Sequence, residues 1–440
     1  MNEYKKEPCE GFKPSQGLIL TNATVTDGHS FLIEDGAIKM ENGKFTFIGK
    51  SSELPVDSSE TIDLHGRLVL PGLLNPHHHL YSALATGLAP IGATNNFTQI
   101  LENLWWHLDK TLDEESVYYS AINGLIQSVR YGVTTVFDHH ASMNAVKGSL
   151  AIIEKAFREI GVKGLLCYEI SDRMGENHLA EQIEENIDFW KNHRNDEHIH
   201  GMLGLHANFT LSEKTMTRLQ KEKPADMPIH IHCGEDRADW QYCVDHGYAG
   251  PADRLNEFGL LTEDSFLAHC IHLSEKDYEL IDNIQPVVIS NPESNANNNV
   301  GAMNLSKIKN YILGTDGMTG NVLGTMRSHF LFRNGKIENP LKILFQRPAE
   351  VIQRFFPGAG TLRQGFNADI AVTDYIPVTP ISLDNLFYHL LFGVQGREMY
   401  MTIADGRILF ANNEMHNISE TETILKVKEA AVRLHRKYYE

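Results

Sequence analysis

Cysteine is scarce and scattered. Cys9, Cys167, Cys233, Cys243 and Cys270 are odd in number and form no Cys-x-x-Cys pair, which excludes a disulfide framework and a cysteine zinc site and fits a reducing compartment. Long hydrophobic runs are missing too. No stretch approaches the span of a membrane helix, and Met1–Glu7 opens without the apolar core of a signal peptide, so the expected location is the cytoplasm. Basic residues are outnumbered, 39 Lys and Arg against 57 Asp and Glu, for a formal charge of -18. Such a surface repels phosphate backbones and anionic lipid, so neither nucleic acid nor membrane is an expected partner. There is also no internal repeat, low-complexity tract or long linker.

What is present fills a large soluble fold: 440 residues, 42% hydrophobic and 22% charged, enough for one barrel and a small companion domain. From Gly17 to Leu70 short β runs alternate with turn signals, including Asn42-Gly43 as a hairpin turn. Ala368–Val372 and Met399–Phe410, the latter broken by Asp405-Gly406, read the same way near the other end, so the two ends are expected to pair as one β-sandwich domain. Ser419-x-x-Glu422 is a capping-box pattern ahead of Ile424, Val427, Ala431, Leu434 and Tyr438, an amphipathic helix with a packing role. The expected division is 1–70 and 361–412 for the sandwich, 71–360 for the barrel and 413–440 for the terminal helix.

Between Pro71 and Gly360 strand-length apolar runs alternate with helical stretches, the pattern of a parallel α/β fold. Eight runs begin at Gly72, Val133, Gly164, Met202, Pro228, Ser265, Pro286 and Tyr311, which predicts a TIM-like (β/α)8 barrel. Their ends are polar: His77 and His79, Asp138, Glu169, His206, His232, His269, Ser290-Asn291 and Asp316. In such barrels that face carries the site. One such residue alone reads as a cap or turn; the recurrence across the runs is what points to function. Leu101, Leu104, Trp105 and Leu108 repeat at core spacing, so Trp105 reads as packing and Trp106, off that stripe, as a substrate contact. The histidines of Asn192–His198 sit in a polar loop with no assigned role.

The organising stretch is Pro71-Gly72-Leu73-Leu74-Asn75-Pro76-His77-His78-His79. In extended chain alternate side chains share a face, so His77 and His79 converge while His78 points elsewhere. With His232 and Asp316 they make a candidate site of three imidazoles and one carboxylate, leaving a coordination position open as catalytic zinc requires. Such an ion brings the pKa of water to roughly 7 and makes a hydroxide nucleophile available. Glu235, three residues past His232, is placed to move a proton to a departing nitrogen. His269 is a candidate for orienting the attacking hydroxide and His206 for bonding a ring nitrogen or carbonyl of the substrate.

These residues carry a family resemblance. Leu70–Leu80 resembles the Pro-Gly-x-x-Asn-x-His-x-His opening of the amidohydrolase superfamily, in its aminohydrolase/chlorohydrolase branch of deaminases and triazine hydrolases. His206-Ala207-Asn208-Phe209-Thr210, His230–Glu235, Leu267-Ala268-His269, Asn291–Asn295, Gly314–Gly317 and Gly365–Asp369 follow in the family's order over nearly the whole chain. Asn103–Trp106, Asp113–Ser116, Asp138–Ser142 and Asn297-Asn298-Asn299 resemble most closely the aminohydrolases called SsnA. The resemblance implies one divalent ion, usually zinc and sometimes iron, on His77, His79, His232 and Asp316. It also implies His269 aligning water, Glu235 shuttling protons, Asp316 accepting the water's proton and His206 contacting substrate. Leu205-His206 at the fourth strand end offers no bridging lysine, so a single ion is implied.

Two departures sit on the substrate side: Asn208 stands where the family often has proline, and Met318–Val322 lacks the asparagine-aspartate pattern common after the eighth strand. Known specificities therefore do not transfer, and Asp138, His139, His140, Glu169 and Glu293 are further candidates for the pocket wall. The expected activity is hydrolysis of a non-peptide C–N bond in a small nitrogen heterocycle, a deamination releasing ammonia. Ring opening of a cyclic amide or displacement of another leaving group uses the same machinery. A non-catalytic, ligand-binding member is the reading of another class, against which Glu235, His269 and Asp316 all stand. A homodimer or larger homo-oligomer is what the resemblance implies for assembly.

Overall fold

The computed structural model describes residues 17–55 and 58–440. Cys9 and the Met1–Glu7 stretch lie outside the described residues. Eight strands, Leu73–His78, Val133–His140, Lys163–Ile170, Leu203–Ala207, Ile229–Cys233, Phe266–His269, Val287–Ser290 and Ile312–Leu313, pair in parallel in that order. All their residues are buried, as expected of strands covered by helices on one side and filled by side chains on the other, and this explains their unbroken apolar runs. The ring closes where His78 bridges Asp316 in parallel, with Thr315 and Asp316 N–H donating to the His77 carbonyl at 3.1 and 2.9 Å.

The barrel interior is layered. Leu74, Phe137, Leu165, Met202, Phe266, Ile289 and Ile312 fill its N-terminal part, plugged from below by Val351, Ile352 and Phe356 at the end of helix Arg347–Phe355. Above them the rings of His77, His139 and His230 pack within 4.8 to 5.8 Å of one another. A polar layer therefore rests on an apolar plug, and further polar side chains at the strand ends lie above that.

Both ends of the chain build one mixed sheet of nine strands. Its N-terminal members are Leu18–Thr26, Leu32–Glu41, Lys44–Lys50, Glu60–Asp63 and Leu68–Pro71; its C-terminal members are Ile370–Thr373, Met399–Ala404, Arg407–Ala411 and Glu414–Met415. The seam is Leu68–Pro71, antiparallel to Ile370–Thr373. Leu18, Val25, Ile38, Val69, Ile370, Val372 and Ile403 share its core. Asn42 and Gly43 take φ of 50° and 77° in the hairpin turn, as an Asn-Gly turn demands.

Sheet and barrel meet at Gly72, where a Cβ would fall 2.3 Å from Thr134 Oγ1; only glycine lets the chain pass from one to the other there. The last helix, Glu420–Tyr439, packs on helix Glu114–Arg130. Ser419 makes no side-chain cap, so the expected capping box does not form. Glu420 instead takes the Met415 N–H at 2.9 Å and the Arg130 guanidinium at 2.5 Å, which draws the first turn onto the barrel. Among the described residues no helix is long and apolar enough to cross a membrane.

Candidate active site

The extended backbone at the end of the first barrel strand puts His77 and His79 on one side and turns His78 to the other, where its Nδ1 meets the Asp316 carbonyl at 2.7 Å. The fifth strand brings His232 and the eighth brings Asp316. Ligand atoms of His77, His79, His232 and Asp316 all lie within 4.8 Å of one another, and all four residues are buried. Gly314 makes the approach possible, since a Cβ there would sit 2.9 Å from His77 Cβ.

The orientation of each ring is fixed from behind. His79 Nδ1–H donates to the His139 carbonyl at 2.6 Å and His232 Nδ1–H to the His206 carbonyl at 2.9 Å. Each neutral ring therefore turns an Nε2 lone pair inward. Those two Nε2 atoms are 3.1 Å apart, and His79 Nε2 is 2.9 Å from Asp316 Oδ1. His77 Nδ1 is engaged by His230 at 2.9 Å, and its buried Nε2 has no hydrogen-bond partner. Four acceptors converge with no donor among them, an arrangement that a cation relieves. In the protein alone the strain goes to a proton: burial disfavours a charge on His79, yet its bond to Asp316 and the charge of that carboxylate lift it to about 9. Burial likewise opposes ionisation of Asp316, but the His77 ring 3.6 Å away and the His79 ring at 2.9 Å hold it well below the ordinary carboxylate range. His77 and His232 are pushed down by burial, His77 to about 3. This donor set suits zinc in geometry and chemistry.

A second cluster adjoins the first. His269 Nδ1–H donates to Asn295 Oδ1 at 2.7 Å, so its Nε2 faces inward, 3.5 Å from Glu235 Oε2 and 3.6 Å from Asp316 Oδ2. His269 and Asp316 both adopt positive φ, 74° and 55°, backbone strain of the sort found at functional sites. Burial, followed by the Asp316 charge, pushes Glu235 well above its ordinary value; a cation on the neighbouring ligands would pull it back. Asn298 Nδ2 reaches Glu235 Oε1 at 3.4 Å.

The pocket above these groups is lined by Trp105, Trp106, Glu169, His206, Asn298 and Met318, among others. His206 is held through Nδ1 by Thr210 Oγ1 at 2.8 Å, and burial takes it down to about 4. Trp105, expected only to pack, also reaches the pocket. His139 does not: it is fully buried in the histidine layer, with Nε2 3.1 Å from the Leu205 carbonyl. Glu293 does not either, because Ser328 and Thr325 bind its carboxylate at 2.6 and 3.1 Å on the far side of its helix. Asp138 and His140 are spent locally, on Leu80 N–H at 2.8 Å and Ser142 Oγ at 2.8 Å. Asn208 turns away to Asp239 and Arg254, both 3.4 Å away.

Sequence reasoning missed Asp109 and Arg173. Asp109 lines the pocket, is pushed by burial to about 7 and shares Arg173 with Glu169 at 2.8 and 3.0 Å. The available signal was Trp105 and Asp109 at i, i+4 on one helix face.

Residues 68–409 match the amidohydrolase family. The chain is 27% identical over 411 residues to the 5-methylthioadenosine/S-adenosylhomocysteine deaminase of Thermococcus sibiricus, covering 89% of this chain and 93% of that protein. In structure it is similar to a zinc-bound adenosine deaminase from Xanthomonas campestris, TM-score 0.81 at 18% identity, covering 98% of this chain and 100% of the other. A triazine hydrolase from Arthrobacter aurescens gives TM-score 0.78 at 19% identity, with 95% and 100% covered. The structural likenesses speak for the fold. The family match spans most of the chain and contains every residue of the inward-facing clusters, and the protein belongs to the amidohydrolase family, metal-dependent hydrolases acting on carbon–nitrogen bonds.

Proposed function

We propose that this amidohydrolase is a zinc-dependent deaminase of an aminated nitrogen heterocycle, and the name of its Thermococcus sibiricus relative makes the adenine-bearing S-adenosylhomocysteine and methylthioadenosine the first compounds to try. The observation that carries the reading is the convergence of His77, His79, His232 and Asp316 as acceptors with their outer atoms already bonded. These four would hold the ion. When bound, it would supply the Lewis acidity that brings a water toward a pKa of roughly 7.

The protein's own groups complete the chemistry. His269, its Nδ1–H fixed by Asn295, offers Nε2 to orient the attacking water. Asp316 accepts the water's proton. Glu235 lies on the same side, 3.5 Å from His269, and gives a proton to the departing amino nitrogen as its C–N bond breaks; the added hydroxyl returns a proton to Glu235 as it becomes the carbonyl, Asp316 passes its proton to the ring nitrogen, and ammonia leaves. His206, with Nδ1 engaged by Thr210, presents Nε2 to a donor on the ring, while Trp106 and Glu169 bound the pocket beside it. We also propose a cytoplasmic homodimer or larger homo-oligomer, and the division of the chain at residues 70, 360 and 412.

The test is a mass-spectrometric turnover screen of zinc-loaded protein against those adenine compounds, free aminated purines, pyrimidines, pterins and cyclic amides. Exchange of NH for oxygen with ammonia released is the expected result; gain of a whole water without ammonia would establish ring opening instead. In Glu235→Gln, kcat should fall by about 10²–10⁴ with zinc content unchanged. Normal turnover in that variant would remove Glu235 from the proton path.

A further inference from the structure

The pocket has one wall that comes from the long connection after the first barrel strand and not from the strand ends. Phe97, Leu101, Trp105, Trp106 and Asp109 all line it and all come from the segment Phe97–Thr111. That segment is not a regular helix. Short α turns, Phe97–Ile100 and Trp106–Thr111, flank a π turn at Leu101–Trp105, in which the Trp106 N–H reaches back to the Leu101 carbonyl. A π turn carries one residue more than the α ladder would, and such turns are rare and frequently mark functional sites. If it relaxed to α geometry, every later residue would rotate by about 100° about the helix axis. Trp106 and Asp109 would then leave the pocket.

The support comes from the last two turns of the C-terminal helix. His107 Nε2–H donates to the Tyr438 carbonyl at 2.7 Å, and the two rings meet edge-on with centroids 4.6 Å apart. That carbonyl is one of the four that a helix end leaves without intrahelical partners, so the bond answers a need on both sides. Tyr438 Oη donates to the Asn103 carbonyl at 3.2 Å, inside the π turn, and the same carbonyl takes the Ile91 N–H at 2.9 Å. One turn back, His435 Nε2–H donates to the Leu84 carbonyl at 2.8 Å, and next to Tyr438 the Tyr439 Oη accepts the Ala89 N–H at 2.7 Å. Tyr438 is 1% exposed. The helix thus grips the loop entering the segment, the π turn itself and the α turn after it.

We infer that the end of the C-terminal helix is a clamp that sets the register of the pocket wall, with Tyr438 and His107 as positioning residues for substrate binding. They touch no reacting atom; they fix where Trp105, Trp106 and Asp109 stand. The inference rests on the pocket being the substrate site, as proposed above, while the clamp itself can be read without any substrate.

The experiment compares zinc-loaded full-length protein with Tyr438→Ala, Tyr438→Phe, His107→Ala and His107→Gln by hydrogen exchange and zinc content. Both alanine variants should speed exchange across residues 84–111 and leave 73–79, 312–316 and the zinc content as in the wild type. Tyr438→Phe keeps the ring and the carbonyl and should lie between, and His107→Gln, which retains a donor, should return toward wild type. With the compound that wild type turns over, the alanine variants should raise KM by about five- to ten-fold with kcat little changed. Unchanged exchange at 84–111, or a rise spread evenly over the barrel, would overturn the clamp. The expected exchange with an unmoved KM would overturn its role in binding. A silent turnover panel would sink the deaminase reading and leave the exchange result to decide the clamp.

Discussion

Two charge clusters lie at opposite ends of the barrel, and they differ in whether the chain itself supplies a lysine as counter-charge. At the N-terminal end Lys163, 0% exposed, places Nζ 3.1 Å from both Asp369 oxygens and 2.8 Å from Asp405. His198 adds a ring nitrogen 3.3 Å from Asp405. Third barrel strand and sheet are joined there by a cation the chain itself carries. At the C-terminal end imidazoles and carboxylates converge just as tightly, but no Lys or Arg joins the ligand atoms of His77, His79, His232 and Asp316 there, and the proposed ion from solution would fill that place. A buried cluster that brings its own counter-charge is a structural joint. One whose ligand atoms face a common point without such a counter-charge is what we propose as the metal site.

Removing one of the proposed ligands at the open cluster should have the largest effect. His232→Ala is expected to lose bound zinc, measured by elemental analysis of the dialysed protein, and activity with it by several orders of magnitude; the fold, followed by circular dichroism, should remain. Zinc at wild-type stoichiometry in that variant would mean the ligand set is misassigned.

At the closed cluster the loss should appear in stability and not in zinc. Lys163→Met strands the buried Asp369 and the partly buried Asp405, and breaking a buried pair costs about 3–5 kcal/mol. Urea unfolding of the two proteins reads this directly, and zinc content should match the wild type. A variant as stable as wild type would show that the joint carries no net stability.

The smallest effect expected is the pH dependence of the same joint. Burial pushes Asp405 up, but the Lys163 charge and the His198 bond outweigh it and hold the carboxyl below its ordinary 3.8. A carboxylate with a depressed folded value contributes stability that is present above 3.8 and is lost as pH falls through the folded value. Thermal midpoints followed from pH 6 down to pH 2 should therefore fall less steeply in Asp405→Asn than in wild type; parallel curves would remove Asp405 from the acid limb.

The local part of this protein was legible in its residues. Eight apolar runs became eight barrel strands because strands buried on both faces must be apolar throughout. The two-residue spacing of His77 and His79 fixed their shared face because strand side chains alternate. The polar residue closing each run was legible for the same reason: it sits one step past the last residue the interior can take. Pairing of the two chain ends in one sheet could also be inferred, since neither end had another β partner nearby.

What only the tertiary structure decided was which of those strand-end groups face a common point. His139 and Glu169 end neighbouring strands and stand 3.7 Å apart, yet His139 Nε2 turns to backbone carbonyls in the layer below and Glu169 lines the pocket. Glu293 follows a strand as Glu235 does, and its helix carries it away to Ser328. His198, in a loop of no apparent use, closes the ion cluster at Asp405. The terminal helix read as mere packing, and its last turns hold the pocket wall. Sequence periodicity records which face of its own element a side chain takes; what that face meets depends on barrel closure and on helix placement hundreds of residues away, so the composition of the site was written locally and its geometry only in the closed fold.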